Sequence, residues 1–389
     1  MIKVRGKTDA LLILIVVVLS TFGVVMVFSA SYYSTLAADI GPYFYLQRAL
    51  QWTLGGFGVM AFVSIIPHRV YYKMAPILVG LSLILLAVLF TPLGYEANNA
   101  TRWIQIGEVT FMPGEFAKFA AIVGVAWYYS KYADQTKTVL RGFLGVFVLA
   151  GVYFLLIYKQ PNLSTALIVA LTIVAMMFIA GVNFGLIAAG LAAGAALAYR
   201  MIQTAGGFHQ SRMTIFLDPF ADAQGEGYQT VQGLLALGSG GLTGVGLGNS
   251  VQKALWLPYA QNDFIFAIIG EETGFIGCLL VIIAFVILIW RCMLIAMRSR
   301  DRFAMLLGSG VAILFALQVV MNIGVVTNVL PPTGVILPFI SYGGNAIIVF
   351  MLLIGIMLNI ARSDGPETAA QERKRTKRES RRQKREEAS

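Results

Sequence analysis

Apolar residues fall in ten long runs, separated by short polar connections and two much longer ones. The runs cover residues 10–30, 49–66, 75–92, 115–130, 142–158, 163–180, 184–199, 264–290, 304–327 and 339–361. Their lengths suit helices crossing a hydrocarbon layer of about 30 Å. They are apolar on all sides rather than along one stripe, as lipid-exposed helices are. The pattern predicts an all-α, polytopic integral membrane protein of about ten transmembrane helices within residues 1–361. A basic tail, 362–389, follows; its stretch RKRTKRESRRQKREE has nothing apolar to bury and is predicted to be disordered or transiently helical. That tail serves either as an anchor to anionic lipid or as a docking segment for a partner.

Composition agrees with the pattern. The chain is 58% hydrophobic and only 12% charged, where a soluble chain carries about a quarter charged residues. The net charge of +10 does not point to nucleic acid, because ten of the 29 Lys and Arg follow residue 361. Alternate connections hold 22 and six of the basic residues. The richer set includes the N-terminus and the tail, so both termini are expected in the cytoplasm of a cell whose inner membrane the protein spans. Cys278 and Cys292 lie 14 residues apart, in and at the end of one run, about 21 Å along a helix and out of disulfide reach. His68 and His209 each lack a second ligand at metal spacing, so no zinc site is expected. The first run is too long, and is followed by nothing like A-x-A, to be a cleaved signal.

Function should then reside in the long outward connections, 93–114 and 200–262. The second, between spans 7 and 8, carries the apolar segment Val231–Leu237 and is expected to fold back onto the membrane surface. Its glycine-dense stretch GSGGLTGVGLG, 238–248, matches neither nucleotide-binding glycine pattern and reads as a tight loop. FISYGGN, 339–345, is predicted to break a helix beside a cavity. Glu115 and Lys118 share a helix face at the outer end of span 4 and form either a structural ion pair or part of a cavity. Asp263 opens span 8. It is either an N-cap, a role Asn262 serves equally well, or the head of a small-residue stripe with Ala267, Gly270, Gly274 and Gly277 that admits a close partner or ligand. Glu271 and Glu272 point about 80° and 180° off that stripe, so different tasks are expected of them.

With these residues in view, the chain resembles the SEDS (shape, elongation, division and sporulation) family of FtsW, RodA and SpoVE. The matching stretches are NNATRWIQIG at 98–107, PGEFAK at 113–118 and QPNLSTAL at 160–167. GYQTVQGLLALGSGGLTGVGLG at 227–248, LPYAQNDFIFAIIGEETGFIG at 257–277 and LPPTGVILPFISYGGN at 330–345 continue the series. Gly114, Asn99 and Asn345 depart from the residues usual in the family. The resemblance implies a peptidoglycan glycosyltransferase that polymerises lipid II and works with a class B penicillin-binding protein and other divisome or elongasome proteins; the division branch fits better than the elongation branch. It also implies Asp263 as the essential carboxylate and Glu115 and Lys118 as cavity-lining charges. Arg102, Trp103, Arg212, Lys253, Gln261, Asn262, Ser341, Gly343 and Gly344 join them as substrate-binding candidates. Arg102, Lys253 and Arg212 would meet pyrophosphate. Asp263 acts as general base or as ligand of a divalent cation, Mg or Mn; no tightly bound cofactor is expected. Undecaprenyl pyrophosphate is a good leaving group, and an α-linked donor giving a β link requires inversion. A lipid II flippase, with midplane charges on broken helices in two related halves, and a non-catalytic scaffold are the rival functions. The topology predicts that a cysteine at position 211 is labelled from outside whole cells and one at 380 is not; the reverse overturns it.

Overall fold

The computed structural model describes residues 8–97, 100–107, 109–204 and 216–363. Seven helices come first: α1 (Ala10–Ala37), α2 (Phe44–Ile65), α3 (His68–Val88), α4 (Pro113–Lys131), α5 (Gly145–Tyr158), α6 (Leu163–Ile179) and α7 (Phe184–Thr204). A shorter helix, α8 (Tyr228–Ser239), follows within the large loop. Then come α9 (Ile265–Arg298), α10 (Arg302–Val326) and α11 (Gly344–Ser363). Each predicted run coincides with one of the long helices. Among the described residues, six helical stretches are long and apolar enough to cross a membrane: α1, α3, Val139–Tyr158, α9, α10 and α11. Among the rest, α4 carries Glu115, Lys118 and Lys131, and α6 has 17 residues.

Helix ends differ from run ends for a physical reason. Apolarity marks where lipid begins, while the helix persists through polar residues until a cap or a breaker. Thus α1 extends to Ala37, seven residues past its run, and α9 extends to Arg298. Asp9 and Asp301 accept from the amides of Leu12 and Phe303 and so cap α1 and α10.

The all-α expectation needs one correction. The connection 93–114 contains a three-stranded antiparallel sheet, β1 (Gly94–Ala97), β2 (Ala100–Ile106) and β3 (Val109–Phe111). Alternation in Thr101, Trp103 and Gln105 against Ala100, Arg102 and Ile104 suits a two-faced ribbon, and Tyr95 pairs with Trp103 across it.

The bundle is centred on α4 and α10, which pack on each other; α6 packs on both and α3 lies against α4. α2 lies along α11, where Gly355 leaves room for the Met60 carbonyl and Gly56 for the Met351 side chain. In the large loop, α8 packs on α9. The stripe seen in sequence is therefore occupied by the chain itself: a Cβ on Gly270 would meet Leu237 at 2.5 Å, and one on Gly240 would meet the Gly270 carbonyl at 2.0 Å.

Gly274 breaks α9, at φ +67° and ψ −168°. The ladder opened there is closed by the glycine-rich loop. Val245 and Gly246 donate to the carbonyls of Glu271 and Glu272, at 2.9 and 3.0 Å. Phe275 and Ile276 donate to the carbonyls of Gly241 and Leu242, at 2.9 and 3.1 Å. Only glycine readily adopts this backbone, and a Cβ would stand 2.3 Å from the Gly244 nitrogen. Gly274→Ala is expected to cost about 3 kcal/mol or more, read as lost expression or a lowered melting temperature in detergent. Gly55→Ala, where a Cβ meets open space, should be neutral.

Candidate functional site

Pro113 opens α4, its missing amide being no loss in the first turn. Glu115 is therefore the third residue of a helix that runs through the middle of the bundle. Lys118 Nζ donates to Glu115 Oε1 at 2.7 Å, and both side chains are buried. The ammonium also reaches Gln318 Oε1 at 3.4 Å and lies 5.9 Å from the centre of the Phe350 ring. Gln318 belongs to α10 and in turn donates to the Ile336 carbonyl at 3.3 Å. The predicted pair thus exists, deep and relayed onward.

One turn above Gln318, Asn322 holds two separate strands of chain. Its Nδ2 donates to the Asp263 carbonyl at 2.7 Å and to the Val335 carbonyl at 2.6 Å. Tyr342 donates its amide to the Gln261 carbonyl at 2.9 Å. Gly334 stands beside Asp263 Oδ2, where an added Cβ would lie 3.7 Å away. The segment ending in Asp263 and the unwound stretch before α11 are therefore locked to each other and to α10.

Asp263 is not the N-cap. Phe264 holds that position and no side chain caps the helix. Burial pushes the Asp263 carboxyl up from 3.8 to about 6, partly offset by a hydrogen bond from its own backbone amide. A helix N-terminus favours the ionised carboxylate, but desolvation outweighs that effect here. Since folding raises this pKa, the fold favours the protonated carboxyl. That contribution is full below about 3.8 and is lost as pH rises through about 6. At neutral pH the ionised group is a destabilising feature.

Several buried oxygens have no partner among the described residues: Asn262 Oδ1, next to Asp263 in the chain, Asn322 Oδ1, whose Nδ2 binds the Asp263 carbonyl, Thr333 Oγ1 and, on α4, Glu115 Oε2. Unspent buried acceptors are uncommon and call for an explanation. Such oxygens suit a hard cation that takes one or two protein carboxylates and completes its shell with water and phosphate. Among the described residues no three His, Cys, Asp or Glu could hold an ion unaided.

The other candidates separate into groups. Arg102 and Trp103 lie on β2, and the Arg102 guanidinium donates to the Pro161 carbonyl, docking the sheet on the α5–α6 connection. Arg212 lies outside the described residues. Lys253 is corrected: it is buried and pairs with Glu272 at 2.6 Å, which removes its charge from the set offered to a phosphate. Ser341 is buried and accepts from the Leu337 amide at 2.8 Å, closing the turn of the unwound stretch. Gly344 packs flat on Trp52, where a Cβ would lie 2.3 Å from the ring, and Gly343 faces Ile336. Gln261 enters through its carbonyl, as described. Sequence reasoning missed Gln318 and Asn322. The signal was present: two amides four residues apart inside an apolar run share a face, and polar groups in a span seek partners.

The profile of a cell cycle protein family, FtsW/RodA/SpoVE, matches residues 9–365. The chain belongs to that family. Relatives include a probable peptidoglycan glycosyltransferase FtsW of Trichlorobacter lovleyi, 39% identical over 92% of this chain and 93% of its own length. Stage V sporulation protein E of Bacillus subtilis is 35% identical over 92% of this chain and 98% of its own. A chain from a peptidoglycan synthase complex that coordinates polymerization and crosslinking superimposes with a TM-score of 0.76, at 26% identity, covering 92% of this chain and 98% of its own. The rod shape determining protein RodA of Thermus thermophilus gives 0.68 at 24% identity over the same shares, a likeness of fold. With its long apolar helices, this member of the family is an integral membrane protein.

The pair on α4 makes a prediction. Removing one partner strands a buried charge, at a cost of about 3–5 kcal/mol. Glu115→Ala and Lys118→Ala should each destabilise the protein strongly, whereas Glu115→Gln, which keeps an acceptor for the ammonium, should cost less. Melting temperatures of the three in detergent check the order.

Proposed function

We propose that this chain is a peptidoglycan glycosyltransferase, polymerising lipid II at the outer face of the cytoplasmic membrane, with Asp263 as the reacting carboxylate. The observation that carries the proposal is the lodging of Asp263. It is held by Asn322 and the unwound stretch, with its carboxyl raised to about 6. A base whose pKa lies near the working pH combines availability with proton affinity. The names of the relatives support the reaction class.

In this reading Asp263 takes the proton of the acceptor 4-hydroxyl as its oxygen attacks the anomeric carbon of the donor. The departing pyrophosphate needs no proton, only positive charge. Arg102, on the sheet beside the α5–α6 connection, is the described cation proposed for that task. A divalent ion held by Asp263 would add Lewis acidity at the same place. Glu115 and Lys118, joined to α10 through Gln318, are the charges proposed to line the substrate cavity. Ten spans, both termini in the cytoplasm and a basic tail beyond residue 361 complete the proposed topology. A class B penicillin-binding protein is the proposed partner; the similarity to a chain from a synthase complex supports it.

Purified protein, with and without a class B partner, should extend lipid II into glycan strands. Asp263→Asn should fold and express as wild type and lose at least about a hundredfold in rate. An active Asp263→Asn enzyme would remove the carboxylate from the mechanism. The rate of the wild type should fall as pH drops through about 6, since a protonated carboxyl cannot accept the proton. A profile flat to pH 5 would exclude the base role.

A further inference from the structure

Two adjacent glutamates at the break in α9 grip the segment that leads to Asp263, and each is 1% exposed. Their carbonyls already receive the amides of the glycine-rich loop. Their carboxylates act on the next stretch of chain. Glu271 accepts from the Val251 amide at 2.9 Å and from Ser250 Oγ. Glu272 accepts from Lys253 Nζ at 2.6 Å and from Ser29 Oγ at 2.6 Å, and Lys253 Nζ also donates to Ser29 Oγ at 2.9 Å. Three elements meet in this triangle: α1 through Ser29, the outer loop through Lys253 and α9 through Glu272.

From Lys253 the chain reaches Asp263 without a regular helix or strand, through left-handed residues at Leu255 and Tyr259, φ +71° and +50°. A ten-residue irregular segment has little rigidity of its own. It is fixed at its far end by Asn322 and Tyr342, and at its near end by the triangle. Stability alone does not explain an ion pair there. Burying both charges offers little over a well-packed apolar pair, and Glu272 Oε2 has no partner among the described residues. What an ion pair with a shared hydroxyl adds is direction: it admits one register of the loop against α1 and α9.

We propose that Ser29, Lys253 and Glu272 are positioning residues, which hold the 250–262 segment so that the Asp263 carboxylate stands at its reacting distance. The inference rests on the reading of Asp263 as the reacting group. It predicts a defect in turnover and not in substrate binding.

The test measures lipid II polymerisation by the full-length protein with its class B partner, together with hydrogen exchange over residues 250–262. Lys253→Met/Glu272→Met removes both charges and strands neither. It should melt near wild type and keep KM within about twofold, lose at least about tenfold in kcat, and show faster exchange in the segment. Ser29→Ala keeps the ion pair and should lose about threefold in kcat at constant KM. A folded double variant with wild-type kcat or unchanged exchange overturns the proposal. Should the double variant fail to fold, a wild-type kcat for Ser29→Ala overturns it instead. If the wild type itself makes no glycan, the glycosyltransferase reading falls, and the exchange of the two variants alone decides whether the triangle holds the segment.

Discussion

Asn322 joins two carbonyls from distant parts of the chain, those of Asp263 and Val335, through one amide nitrogen. The end of the bundle that carries Asp263 is organised by this contact. Irregular backbone at membrane depth persists only where protein groups satisfy its polar atoms. The stretch from Thr327 to Gly343 has no regular helix or strand, and its partners come from α10, from the segment before α9 and from the stretch itself. Gln318 and Asn322 bind Ile336 and Val335, the Ser341 hydroxyl binds Leu337, and Tyr342 reaches Gln261. Two amides one helical turn apart thus fix a loop, and with Tyr342 they fix the backbone that carries the Asp263 carboxylate.

Charge is handled in two contrasting ways on this side of the molecule. Glu115 with Lys118 and Glu272 with Lys253 are buried ion pairs, each with one carboxylate oxygen that has no partner among the described residues. Asp263 has no ion pair among the described residues, and its environment resists ionisation. The contrast separates groups that hold the architecture from the one left chemically responsive. A carboxylate relieved neither by a cation nor by donor side chains is a better proton acceptor than one that is.

Much of this was legible in the sequence, because lipid imposes a simple rule on composition. The helices showed as apolar runs, and the Glu115–Lys118 pair showed as a three-residue spacing. Asp263 stood out by its place at the start of a span. The small sheet did not, since three short strands of mixed polarity give no periodic signal strong enough to rise above a loop. The stripe below Asp263 was visible, but its occupant was not: spacing along one helix does not say that residues 237–246 will cover it. Lys253 misled for a related reason. A lysine in an outer loop looks exposed until the glutamate that captures it, 19 residues on, is seen to face the same way.

The residues of the site are drawn from Arg102 to Tyr342, and this dispersal has a consequence for biosynthesis. Membrane helices are delivered from the ribosome in order, so Asp263 is made before α10 and before the stretch that follows it. Asn322 must arrive to seat the carboxylate, and Val335 and Tyr342 must arrive to lock it. The site comes into being only when the final crossing has joined the bundle. A nascent chain halted anywhere before that point carries the carboxylate but not its setting.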